Sequence, residues 1–146
     1  MRIKYSQKWS KILLHNRIKD LCKYIPVNKA GVLLKVFCYI KTGHNPDFYF
    51  RGHYRYTPIH RVFYSEVKGL KRIPLHIITL KFYPEISDEK LLHLLGHEFS
   101  HLRDYRKHKG KKHKCSQKRA DKFADKCVAK WQSKIQQHTG QQYETL

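Results

Sequence analysis

His97-Glu98-Phe99-Ser100-His101 decides how this chain is read. The five residues spell H-E-x-x-H. His97 and His101 are four apart, so on a helix both imidazoles leave the same side, one turn above the other. Two neutral imidazoles at that spacing can hold one zinc ion. Glu98 stands beside the first of them, where a carboxylate can take a proton from a metal-bound water. Histidine is abundant, at 11 of 146 residues. Chance arrangement of this composition gives the pattern in roughly 3 chains per 100, so the flanking sequence has to carry the argument.

The flanking sequence predicts a helix over 87–107. Ser87 follows Pro84 and is a candidate N-cap. Asp88 and Glu89 fall in the first turn, where negative charge is favoured. Leu91, Leu92, Leu94, Leu95, Phe99, Leu102 and Tyr105 recur at helical spacing, which gives one buried face. His93 and Tyr105 extend the stripe of His97 and His101. His93 reads as packing or as support for a ligand, and Asp104 as a surface residue. Just upstream, Leu75 to Tyr83 is apolar and β-branched and predicts a strand.

The remaining elements follow the same logic. Tyr5, Trp9, Ile12, Leu13, Ile18, Leu21, Cys22 and Ile25 predict an N-terminal helix within 5–25, ending before Pro26. Val32 to Ile40 reads as a strand or a helix end. Residues 48–56 predict a strand, with Gly52 a candidate bulge. Residues 60–67 predict another, followed by a turn at 68–71. Lys107 to Lys114 reads as a basic loop, with Gly110 ending the motif helix. Ser116 is a candidate cap for a last helix with Ala120, Phe123, Ala124, Cys127, Val128, Trp131 and Ile135 on its apolar face. The sum is one α+β domain over 1–138, with a small, mostly antiparallel sheet packed on the motif helix. Residues 139–146 read as a frayed polar tail.

Composition narrows the function. Lys and Arg number 31 against 11 Asp and Glu, for a net charge of +20. Such a surface attracts polyanions, and nucleic acid is the first candidate partner. No sequence-reading nucleic-acid motif accompanies the charge. No stretch approaches the roughly 18 apolar residues that span a bilayer, so no membrane partner is expected. The N-terminus lacks the pattern of a signal peptide, and the expectation is an intracellular protein, cytoplasmic or nucleoid-associated. Cys22, Cys38, Cys115 and Cys127 lack C-x-x-C spacing and read as free thiols. A closed structural zinc site from Cys115, Cys127, His108 and His113 is disfavoured by the irregular spacing.

A catalytic zinc takes a third protein ligand. The extended pattern H-E-x-x-H-x-x-G-x-x-H is not met, because Asp104 and Lys107 occupy its glycine and last histidine, and His108 comes one residue late. His113, twelve residues after His101, resembles the third histidine of SprT-like metallopeptidases. Gln117-Lys118-Arg119-Ala120-Asp121-Lys122-Phe123-Ala124 resembles the E-x-x-A-D-x-F-A signature of thermolysin-like gluzincins and ImmA/IrrE-type peptidases. In those families the glutamate is the third ligand, and the later acidic residue orients a zinc-bound histidine. Here Gln117 stands in the glutamate's place. His113 and Asp121 are thus the leading candidates for third ligand, ahead of Asp125, Gln117 or no third protein ligand.

The resemblance spans about 75–131 and implies a minimal zincin fold: N-terminal helix, small sheet, active-site helix and C-terminal helix. It implies a Zn²⁺-dependent peptidase acting on a protein or peptide substrate, with His97 and His101 as ligands and Glu98 as general base. It also implies a substrate strand laid along a sheet edge, for which 75–83 is the candidate. Two alternatives stay open. One is a basic nucleic-acid-associated protein with a structural metal. The other is a degenerate zincin that binds metal without turnover.

Overall fold

A short strand precedes the N-terminal helix expected within 5–25. The computed structural model describes residues 1–39, 50–56, 76–108 and 117–144, with the backbone alone over 138–144. Strand β1 (Arg2–Tyr5) leads into helix α1 (Lys8–Cys22) and strand β2 (Val32–Cys38). Strands β3 (Phe50–Tyr56) and β4 (His76–Phe82) follow, then helices α2 (Asp88–Lys107) and α3 (Gln117–Glu144). The strand expected at 60–67, the turn at 68–71, His113, Cys115 and Ser116 lie outside the described residues. Helix α3 continues to Glu144, through the stretch whose polarity predicts fraying.

The architecture is α+β, and its sheet is mixed rather than mostly antiparallel. Its order is β1-β2-β4-β3. Strands β1 and β2 pair in parallel, as do β2 and β4, and among the described strands only β3 runs antiparallel, to β4. Chain connectivity explains the correction. β1-α1-β2 is a crossover unit, and returning through a helix makes neighbouring strands parallel. The topology also corrects the expected substrate edge. β4 is paired on both sides, and among the described residues β3 is the terminal strand beside it.

Burial along the strands follows from this order. β2 alternates, with Val32, Leu34, Val36 and Cys38 turned to the helices. β4 is central, and Ile77, Ile78, Leu80 and Phe82 are all buried. A central strand loses both edges and most of both faces to neighbours, so its sequence is apolar almost throughout. α1 contributes Leu14, Ile18, Leu21 and Cys22 to the same core. Its other apolar residues face outward, with Ile12 88% and Leu13 59% exposed. Cys22, Cys38 and Cys127 are buried free thiols.

α2 starts where its sequence says it should. The Ser87 hydroxyl accepts from the Lys90 N–H at 3.2 Å, which satisfies one of the helix's unpaired first-turn donors. Arg17 of α1 ties this end down, pairing with Asp88 and donating to the Pro84 and Ile86 carbonyls. Arg106 ties the other end by donating to the Asn28 and Ala30 carbonyls. Between the anchors, Leu91, Leu92, Leu95, Phe99 and Leu102 are fully buried. Each such side chain contributes about 1.5–3 kcal/mol, which makes α2 the central member of the core. Among the described residues, no helix is long and apolar enough to cross a membrane.

Candidate active site

The polar stripe of α2 is held between β3 and α3. Gly96 lets α3 come close, because a Cβ added there would sit 3.1 Å from the Ala124 backbone. Ala120 and Ala124 are fully buried in this crossing, and they are the small residues of the A-D-x-F-A stretch. The close approach brings short side chains within reach across two antiparallel helices.

Three rungs result. His93 Nε2 lies 3.0 Å from Asp125 Oδ1. His97 Nδ1 lies 2.8 Å from Asp121 Oδ1. The Gln117 side chain hydrogen-bonds the His101 ring. Residues 93, 97 and 101 of one helix thus meet 125, 121 and 117 of the other. A carboxylate oxygen accepts, so the Asp121 contact directs a proton of His97 onto Nδ1 and makes Nε2 the nitrogen that faces His101. The same argument puts the His93 proton on Nε2, against Asp125.

The free nitrogens of the motif face each other. Nε2 of His97 and Nε2 of His101 are 3.2 Å apart, with the rings inclined at 72°. Two imidazole nitrogens meeting at that distance, with the rear nitrogen of one tied to a carboxylate, form the donor pair that a small cation needs. Burial and the neighbouring His97 push the His101 pKa down, which keeps its ring neutral and able to donate a lone pair. Among the described residues, no set of three His, Cys, Asp or Glu side chains gathers to hold one ion. The convergence is of two imidazoles, with the Gln117 amide beside the second.

Glu98 leans from the histidine stripe toward β3, close enough to His97 to feel its charge. It is 5% exposed. Burial pushes its pKa up to about 7, while His97 pulls it down by a smaller amount. The carboxyl is packed directly on Gly52. A Cβ at position 52 would fall 2.6 Å from Oε1 and 2.8 Å from Cδ of Glu98. Gly52 pairs in regular register with Leu80, so it is no bulge. It is a glycine because a carboxylate occupies the space of its side chain.

A cavity of about 660 Å³ opens between β3, α2 and α3, with Gly52, His93, His97, Asp121 and Asp125 in its wall. Outside the cavity's lining, Tyr56 stacks on Tyr105 with centroids 4.7 Å apart, and the Tyr54 hydroxyl meets His76 Nδ1 at 2.9 Å.

The structure therefore brings together His97, Glu98, His101 and Asp121. Asp121 meets His97 at Nδ1, the nitrogen opposite the one that faces His101. Asp104 is buried rather than on the surface, at 4% exposure, with Arg119 3.6 Å from its Oδ2. Sequence reasoning missed the role of Gly52 and the rung character of Gln117 and Asp125. The matched four-residue spacings, 93-97-101 and 117-121-125, were the available signal for the rungs. Compared with known proteins, the chain matches no family model, no curated sequence and no solved structure.

Proposed function

We propose that the chain is a zinc-dependent peptidase of minimal zincin type. The observation that carries the reading is the facing pair of Nε2 atoms, 3.2 Å apart, with Asp121 behind one ring and buried Glu98 beside it. His97 and His101 would hold the ion. Gln117 and His113 are the candidates for third ligand, and Asp121 orients His97 through Nδ1. Bound zinc supplies charge that polarises a carbonyl and makes water acidic enough to attack near neutral pH.

The chain's own groups do the rest. Glu98 takes the proton of the attacking water and hands it to the leaving amine. Gly52 keeps that carboxyl seated against β3. The substrate lies in the cavity of about 660 Å³. Its backbone adds to β3, the terminal strand among the described residues, which shares the cavity wall with His97.

The test is Glu98→Gln, assayed for zinc content and for hydrolysis of an unfolded protein substrate. The variant is expected to keep its zinc and lose turnover by at least about 100-fold, the scale of general acid–base catalysis. Wild-type turnover in Glu98→Gln would remove the proposed base.

A further inference from the structure

On the opposite side of α3 from the histidine pair lies a second cavity, of about 410 Å³. Arg103, Arg119, Lys122, Lys126 and Lys130 line it, and no acidic residue does. Residues 119, 122, 126 and 130 fall on one stripe of α3 and span about 16 Å at 1.5 Å per residue. Among the described residues, Lys122, Lys126 and Lys130 have no carboxylate partner within ion-pair distance. A row of unneutralised cations along a concave wall costs stability through self-repulsion and is relieved by a linear anion.

The cavity also carries flat surfaces. The Arg103 guanidinium lies 4.3 Å over the Phe123 ring. Phe123 is buried beneath it, Arg103 is exposed, and both line the cavity. Tyr24 lines the same cavity. A cationic track beside stacking planes is the combination that holds single strands regardless of sequence, with phosphates on the lysines and a base on the guanidinium face. Duplex buries its bases and gains nothing from the planes.

We infer that this cavity is a binding site for single-stranded nucleic acid, with Lys122, Lys126 and Lys130 on the phosphates and Arg103 under a base. The inference is independent of the metal reading, because none of these residues belongs to the histidine rungs.

The test is fluorescence anisotropy with a labelled 20-nucleotide single strand, its duplex, and heparin as competitor, over a range of salt. The Lys122→Gln/Lys126→Gln/Lys130→Gln variant is expected to bind the single strand at least about tenfold more weakly and to lose about two from its salt slope. A control, Lys8→Gln/Lys11→Gln/Lys19→Gln, removes the same charge from exposed positions of α1 outside the cavity and is expected to bind within about threefold of wild type. Arg103→Lys keeps the charge and loses the plane, and is expected to weaken single-strand binding about fivefold at an unchanged salt slope. Thermal melts establish that each variant is folded. Equal losses in the two lysine triples would overturn the site, since net charge alone would then explain binding. So would duplex or heparin binding as tight as the single strand, or wild-type affinity in Arg103→Lys.

Discussion

Replacing Gly52 with alanine tests the placement of Glu98 with a single methyl group. The added Cβ would fall 2.6 Å from Oε1, 2.7 Å from Cγ and 2.8 Å from Cδ of Glu98. Carbon and oxygen need roughly 3.4 Å or more, so the carboxyl must retreat by close to 1 Å. The side chain is 5% exposed and enclosed by β3 and α2, so the retreat carries it off its present position rather than into solvent. The cost to stability is modest. Overpacking removes about 1–3 kcal/mol, and replacing a strand glycine restores about 0.5–1 kcal/mol. The net loss of about 0–2.5 kcal/mol leaves a folded chain. The cost to turnover is large, because a 1 Å misplacement of a reacting group lowers rate by about 100-fold. His97 and His101 are not touched, so zinc content is unchanged. The assay is therefore threefold on one preparation: thermal melt, metal content, and hydrolysis of an unfolded protein. Gly52→Ala with full zinc, a melting temperature within about 10 °C of wild type and turnover down about 100-fold is the expected result. Turnover within twofold of wild type would refute the reasoning, because it would mean that the seat of Glu98 against Gly52 does not govern its chemistry.

Two further predictions follow from particular contacts. Asp121→Ala removes the carboxylate behind His97 and is expected to weaken zinc affinity about 10–100-fold while leaving binding measurable; loss as complete as in His97→Ala would make Asp121 a direct ligand. His76 is held neutral, its pKa pushed down to about 4 by burial and then by Arg106, against 6.5 when unfolded. The unfolded chain binds the extra proton between those values, so this contribution is complete above about pH 6.5 and is lost as pH falls toward 4. Urea melts of wild type and His76→Gln should therefore show a difference in stability that changes by about 1–3 kcal/mol between pH 7 and pH 4, and a constant difference would contradict the assignment.

The site was legible where local rules set the geometry. Ser87 caps α2, four-residue spacing aligns His97 with His101, and the buried leucines follow the helical period. The apolar face of α3 was legible too, from Ala120 through Val128. What escaped was set by partners distant in sequence. β1 has four residues, too few to show a period, so no strand is read there. The parallel pairing of β1 with β2 comes from the crossover through α1, which leaves no mark inside a strand. Ile12 and Leu13 fit the apolar period of α1 but are exposed, because Ser10, Leu14 and Ile18 set the face that meets the core. Gly52 reads as a bulge in its own strand and acquires its meaning only from Glu98, 46 positions later. Asp104 reads as a surface charge until Arg119 of α3 folds back onto it.

The central claim is that one ion sits between His97 and His101. Its most direct test is zinc per chain, measured after purification without added metal and again after reconstitution, on wild type and on His97→Ala, with Gln117→Ala and His113→Ala alongside. The account predicts about one zinc in wild type, none in His97→Ala, and loss in one of the other two, which names the third ligand. A wild-type chain that holds no zinc after reconstitution, or that holds it equally well in His97→Ala, would contradict the account.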